Sequence, residues 1–193
     1  ENAYTLKLMN LDETTRTLQP ASTLLGHDEE IRSLAFSPTE PILASGSHDG
    51  TLVFWDTSTS QPVLEQLGTS TSWVRAVAFS PDGQWLASSG DRTVRLWRVN
   101  SGQCLATLRG HAGIVSAVAF SPNGRWLASG SADRSVRLWR MDGRQCATIL
   151  QGHTGAVNAV AFGPDGQSLA SGGADRSVRL WRIENGQCIA TLP

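Results

Sequence analysis

Apolar residues along this chain come in short bursts, each broken by glycine, proline, asparagine or aspartate. The stretch from Gly110 to Gln151 is representative. Ile114-Val115-Ser116-Ala117-Val118-Ala119-Phe120 has strand length. It is followed by Ser121-Pro122-Asn123-Gly124, where proline presets φ and Asn-Gly tolerates positive φ. Trp126-Leu127-Ala128-Ser129-Gly130-Ser131 predicts a second strand, ended by Ala132-Asp133. Ser135-Val136-Arg137-Leu138-Trp139-Arg140 predicts a third, Asp142-Gly143 a turn, and Cys146-Ala147-Thr148-Ile149-Leu150 a fourth. Short strands with turn signals about every ten residues predict an antiparallel meander.

The same pattern returns at a fixed interval. Trp55, Trp97, Trp139 and Trp181 stand 42 residues apart, and Asp49, Asp91, Asp133 and Asp175 precede them by six residues each. His27, His111 and His153 keep the same grid, with Thr69 where a fourth histidine would fall. A period of this length marks a repeat architecture, in which one unit cannot bury its own core and stacks on its neighbours.

The recurring Gly-His, the strand closing on Phe-Ser-Pro with a following Asp-Gly or Asn-Gly, the Leu-Ala-Ser-Gly-Ser strand, the aspartate and Val-Arg-Leu-Trp resemble the WD40 repeat. The resemblance covers 26–67, 68–109, 110–151 and 152–193 as four blades. Residues 1–25 resemble the last two strands of another blade: Thr5–Asn10 matches Thr93–Arg98, with Met9 at the tryptophan position, and Thr23-Leu24-Leu25 matches Thr107-Leu108-Arg109. The implied fold is all-β: a β-propeller of four-stranded antiparallel blades, here a partial or open ring of four blades and half a blade. Exposed sheet faces at both ends of such an arc are expected to be covered, by a larger propeller or by further copies of the chain.

The repeats depart from the family pattern in places. Tryptophan is followed by aspartate only at Trp55-Asp56, and the others read Trp97-Arg98, Trp139-Arg140 and Trp181-Arg182. The second unit lacks the histidine and has a shorter turn at Ser88-Ser89-Gly90-Asp91, and the fourth reads Phe162-Gly163-Pro164. Units three and four are nearly identical (both contain ADRSVRLWR), a style similar to bacterial WD40 arrays that serve as sensor or scaffold regions beside other domains.

Composition supports a globular chain, with 40% hydrophobic residues and 17% charged. No apolar run approaches the roughly 18–20 residues of a membrane-spanning helix. Net charge is −1, but residues 1–67 hold ten acids against three bases, while 68–193 hold thirteen bases against seven acids. Such a division can steer a partner or draw the ends of two arrays together. Cys104, Cys146 and Cys188 share one position in three units, which reads as half-buried strand residues and, as reduced thiols, as a cytoplasmic protein. No metal or cofactor motif is present: CxxC pairs, HExxH and GxxxxGK[ST] are all missing.

His27, Ser45, Asp49 and Trp55, then His111, Ser129, Asp133 and Trp139, then His153, Ser171, Asp175 and Trp181 fall where the resemblance implies a buried hydrogen-bond network. Ser88, Asp91 and Trp97 form its counterpart in the second unit. The same residue types build a Ser-His-Asp hydrolase, but an enzyme needs one site rather than three, and no GxSxG elbow accompanies any copy. The expectation is no enzyme.

Partners are expected at the rim that carries the start of each unit's first strand and the turn before the aspartate, as the resemblance implies. The candidates there are Glu30 and Arg32, Trp73 and Arg75, Ile114 and Ser116, Asn158, and His48 in the turn. Trp73 stands out, because Glu30, Ile114 and Ala156 occupy its place elsewhere; a tryptophan two residues from an arginine resembles an interface anchor, and the alternative reading is that Trp73 fills the space left by the missing histidine of its unit. The repeated arginines (Arg92, Arg95, Arg98 and their equivalents) suggest basic tracks, but a near-neutral pI and the lack of an RNA-binding signature argue against nucleic acid. They read instead as solvated strand edges pairing with acids such as Asp91, Asp133 and Asp175. The functional expectation is a non-catalytic protein- or peptide-binding scaffold or sensor module of a larger protein. The second is a repeat unit that completes a propeller with copies of itself.

Overall fold

The computed structural model describes residues 4–12, 14–68 and 73–193. Thr69, at the position of the missing histidine, lies outside them. Eighteen strands and no helix are present among the described residues. The first sheet pairs only β1 (Leu6–Asp12) with β2 (Thr17–Leu24). Four four-stranded sheets follow, each an antiparallel meander in chain order. The first comprises β3 (Ile31–Phe36), β4 (Ile42–Ser47), β5 (Thr51–Asp56) and β6 (Gln61–Gly68). The second holds β7 (Ala76–Phe79), β8 (Trp85–Ser89), β9 (Thr93–Arg98) and β10 (Cys104–Arg109). The third holds β11 (Val115–Phe120), β12 (Trp126–Ser131), β13 (Val136–Arg140) and β14 (Gln145–Leu150). The fourth holds β15 (Val157–Phe162), β16 (Ser168–Gly173), β17 (Val178–Arg182) and β18 (Cys188–Leu192). The strands expected in the third unit begin within one residue of these bounds.

The innermost strands β3, β7, β11 and β15 contact one another in succession, so the sheets are arranged as propeller blades in an open arc. Each sheet alternates which neighbour it serves. In the first, Leu43 and Trp55 pack on Leu6 and Leu24 of the two-stranded sheet, while Ala44, Leu52 and Phe54 pack on Val74, Val77, Leu86 and Trp97 of the next. The middle strands are therefore buried on both faces, which explains why Leu-Ala-Ser-Gly-Ser carries no charged residue. Close approach of the next blade favours glycine in the first and third sheets: a Cβ on Gly46 would clash with Val74 Cγ1, and one on Gly130 would stand 2.7 Å from Val157 Cγ1, whereas the second sheet carries Ser89 at this position.

Among the described residues, nothing lies against the same face of the fourth sheet. Val178 and Leu192 are 40% and 48% exposed, whereas their counterparts Val136 and Leu150 are 0% and 2% exposed. A Cβ on Gly172 would meet only Ala159, at an ordinary 3.8 Å. At the other end, β1–β2 covers the outer part of the first four-stranded sheet and leaves Leu34 and Phe36 of β3 exposed.

Candidate functional site

Within each four-stranded sheet the indole N–H of the repeat tryptophan donates to a serine hydroxyl at 2.8 Å: Trp55 to Ser45, Trp97 to Ser88, Trp139 to Ser129 and Trp181 to Ser171. Three of these serines also meet a histidine Nε2, His27 at 2.7 Å, His111 at 2.8 Å and His153 at 2.8 Å. Each Nδ1 faces a carboxylate, Asp49 at 2.9 Å, Asp133 at 2.8 Å and Asp175 at 2.9 Å. The polarity of the chain follows from inventory. Indole only donates, so serine oxygen accepts and its single O–H donates to Nε2, leaving the proton on Nδ1 to be shared with aspartate. That tautomer is the one a serine hydrolase uses. Here, however, Ser45, Ser129 and Ser171 are buried, and each hydroxyl oxygen is already held by an indole.

The aspartates also close the turns they sit in. Asp133 accepts from the N–H groups of Ala112 at 2.9 Å and Ser135 at 3.0 Å, and from the Ser135 hydroxyl at 2.6 Å. Asp49 does the same with Asp28 and Thr51, and Asp175 with Thr154 and Ser177. Burial pushes the Asp133 carboxyl up, but bonds from Ser135, His111 and Ala112 outweigh it and hold the group well below the usual carboxylate range. For His111 burial dominates in the other direction and keeps the imidazole neutral below its ordinary pKa, against the pull of Asp133. Sequence reasoning missed the hydroxyls Thr51, Thr93, Ser135 and Ser177. They recur two residues after each aspartate, a signal on the same 42-residue grid.

In the second sheet Arg95 Nη2 reaches Asp91 Oδ2 at 3.2 Å. The equivalent arginines do not repeat this pairing. Arg137 Nη2 donates to the Gly110 carbonyl at 2.8 Å and its Nη1 approaches Cys146 Sγ at 3.5 Å, while Arg179 Nη1 lies 3.9 Å from Cys188 Sγ. The expected pairing of arginine with Asp133 and Asp175 is thus replaced by histidine, because the imidazole already fills that position. All three cysteines are free thiols, and Cys104 is exposed rather than half-buried.

The turns between second and third strands and the lead-ins to the first strands share one end of every sheet, the upper rim. Backbone bonds fix them together: His48 N–H to Glu30 O at 2.9 Å, Ala132 N–H to Ile114 O at 2.8 Å, and Ala174 N–H to Ala156 O at 2.7 Å. Five of the candidate binding residues converge there across the boundary between the first two four-stranded sheets. The rings of His48 and Trp73 are stacked, with centroids 4.1 Å apart and planes inclined 18°. The Arg75 guanidinium carbon lies 5.1 Å from the Trp73 ring centroid. Glu30 ties the cluster together, accepting from Arg32 Nη1 at 2.7 Å and lying 3.6 Å from His48 Nδ1. Among the described residues, the buried His48 Nε2 has no hydrogen-bond partner. Trp73 remains 47% exposed. Ile114 and Asn158, exposed, and Ser116, half-buried, sit on the rims of the next sheets, and no hydrogen bond or ion pair joins them to this cluster among the described residues. Among the described residues, no group of three or more His, Cys, Asp or Glu is placed to hold a metal ion, and no helix is long and apolar enough to cross a membrane.

The chain is 40% identical over 95 residues to the nuclear distribution protein nudF of Emericella nidulans, a match covering 48% of this chain and 21% of that protein. It is 37% identical over 112 residues to the nuclear distribution protein PAC1 of Komagataella phaffii, covering 57% and 22%. Identity to the Notchless protein homolog of Arabidopsis thaliana is 43% over 72 residues, covering 37% and 15%. The matched segments thus span about a fifth or less of these curated relatives. All three are from fungi or a plant, so the likeness to bacterial arrays draws no support from them. The family model of the WD domain, G-beta repeat matches residues 18–56, 61–98, 102–140 and 144–182. Each match begins within two residues of the start of the outer strand of one sheet and ends with the third strand of the next. The chain therefore belongs to the WD40 family, as four tandem repeats whose sequence units straddle neighbouring blades.

Proposed function

We propose that this chain is a non-catalytic protein-interaction scaffold whose contact surface is the upper-rim cluster of Glu30, Arg32, His48, Trp73 and Arg75. Repeats of this family generally act as protein-interaction scaffolds. The observation that carries the reading is the stack of Trp73 on His48 beneath Arg75. A half-exposed indole is held in one orientation by two neighbours, so a partner meets it without the entropy cost of ordering a free side chain. Ile114, Ser116 and Asn158 extend the same rim. The name "nuclear distribution" belongs to the longer relatives, and a role of that kind, or a sensor role beside another domain, is a property of a whole protein of which these repeats form the binding part. Free thiols favour a cytoplasmic setting. The His-Ser-Asp sets are assigned to holding each blade together, since their serines are buried and occupied. The test is affinity capture with wild-type chain against Trp73→Ala and Arg75→Ala, with thermal melts run in parallel. Partners retained equally by correctly folded variants remove the cluster from consideration.

The fourth sheet supports a second reading, assembly through its open face. Ala170, Gly172, Val178, Leu180 and Leu192 repeat the set that is sealed by a neighbouring blade three times elsewhere. A second copy is the occupant assigned here, aided by the opposite charge of the two portions of the chain. Light scattering across concentration and salt tests it, and a monomer at all concentrations rejects self-assembly.

A further inference from the structure

At the opposite rim, where first strands turn into second and third into fourth, two arginines from neighbouring sheets converge on one indole. The guanidinium carbon of Arg98 lies 5.3 Å from the Trp85 ring centroid, and that of Arg144 lies 5.1 Å away. Trp85 opens β8 and Arg98 closes β9, while Arg144 comes from the turn between β13 and β14 of the next sheet. Trp85 and Arg98 are half-buried and Arg144 is exposed. No carboxylate forms an ion pair with either guanidinium among the described residues.

Neither arginine side chain closes the turn it stands in. Asp56, at the position of Arg98, accepts the N–H groups of Ser58 at 2.7 Å and Thr59 at 3.1 Å and so closes its turn. Arg98 has no acceptor to offer there. Arg144 adopts φ 51° and the equivalent Ser60 φ 60°, in the left-handed region that the equivalent Gly102 and Gly186 adopt freely at φ 64° and 67°. The third sheet supplies the contrast. Arg140 stands at the Arg98 position but is neutralised by Asp142, at 2.5 Å. Asn100 replaces that aspartate in the second sheet, so Arg98 lacks the equivalent carboxylate partner and packs on Trp85 instead. Of the acids nearby, Asp82 is engaged by the Ser80 hydroxyl and the Gln84 N–H, and Glu40 lines the same groove as Arg98 without pairing to it.

We propose that Trp85, Arg98 and Arg144 form an anion site for a phosphate monoester borne by a side chain of a partner protein. A phosphate monoester carries about −1.5 to −2 charges at pH 7, matching two guanidiniums, and its oxygens accept the forked donors of arginine. A phosphodiester, with a single charge, leaves one guanidinium unanswered. The site is independent of the Trp73 cluster on the other rim and stands whether or not that cluster binds.

The experiment follows the indole N–H signal of Trp85, identified with Trp85→Phe, during titration of the 193-residue chain at constant ionic strength. The probes are a short phosphoserine peptide, its unphosphorylated form and inorganic phosphate. The expected result is a saturable shift with the phosphopeptide, at least tenfold weaker in Arg144→Gly and in Arg98→Gln, and unchanged in Trp73→Ala. Arg144→Gly keeps the fold, because glycine already occupies this turn position in two other blades, and the Trp139 indole signal verifies it. Absence of a saturable shift, an equal response to the unphosphorylated peptide, or indifference to both arginine substitutions would overturn the site. Equal affinity for inorganic phosphate would overturn its assignment to a partner chain.

Discussion

Trp73 stacks on His48 across the boundary between two blades, each ring supplied by a different repeat. The stack sits at the rim, so its value is in positioning rather than in core burial. Trp73→Ala is expected to lower stability by only about 0.5–1.5 kcal/mol, the range for an aromatic pair. His48→Ala is expected to loosen Trp73 and weaken partner capture, although His48 itself is mostly covered. Urea unfolding beside a binding assay checks both: a loss of several kcal/mol in Trp73→Ala would place the residue in the core and not at an interface.

Ser129 serves two buried neighbours at once. In Ser129→Ala the Trp139 indole and the His111 imidazole both lose their partner, an expected cost of roughly 2–4 kcal/mol. Ser88→Ala orphans only the Trp97 indole among the described residues, and about half that cost is expected. Equal destabilisation by the two substitutions, measured by equilibrium unfolding, would contradict the chain of bonds assigned to the third blade. No esterase activity is expected in the wild-type chain for Ser129→Ala to remove.

The blades were legible in the sequence because one physical requirement, stacking on a neighbour, imposes itself at every repeat. Leu127, Ala128 and Trp139 recur at their spacing because each faces a copy of the same surface. The residues that differ between repeats were readable in kind but not in partner. Trp73 was conspicuous for having no aromatic counterpart, yet nothing local to residue 73 reveals that its neighbour is His48, 25 positions earlier in another blade. Arg137 shows the same limit. Its charge suggested Asp133, but histidine reaches that carboxylate first, and the guanidinium turns to the Gly110 carbonyl.

Acid is expected to weaken the fold in two steps. His111 is held neutral below its ordinary pKa, so the unfolded chain binds a proton there that the folded chain refuses. That contribution is present above pH ~6.5 and is lost as pH falls below it, at up to about 1.4 kcal/mol per pH unit. Asp133 is held below its ordinary value, so its contribution persists to pH ~3.9 and is lost only under stronger acid. Unfolding free energies between pH 7.5 and 5 are expected to fall less steeply in His111→Asn than in wild type. Parallel slopes would mean that His111 does not titrate on unfolding in this range.

Gly130 and Gly172 occupy the same position in consecutive blades, and they separate a covered face from an open one. A methyl at Gly130 would stand 2.7 Å from Val157 Cγ1, inside van der Waals contact. Gly130→Ala is therefore expected to force the third and fourth blades apart at a cost of about 1–3 kcal/mol. The same methyl at Gly172 would meet Ala159 at 3.8 Å, and no further blade covers it among the described residues. Gly172→Ala is expected to be neutral, or stabilising by about 0.4–1 kcal/mol through the stiffer unfolded chain, wherever the fourth face is open. Where a further blade seals that face, Gly172→Ala should clash as Gly130→Ala does. Unfolding of both variants at low and high protein concentration distinguishes the cases. Destabilisation by Gly172→Ala that appears only as concentration rises would identify a second copy of the chain as the covering blade, and a neutral effect throughout would leave the face uncovered by self-association.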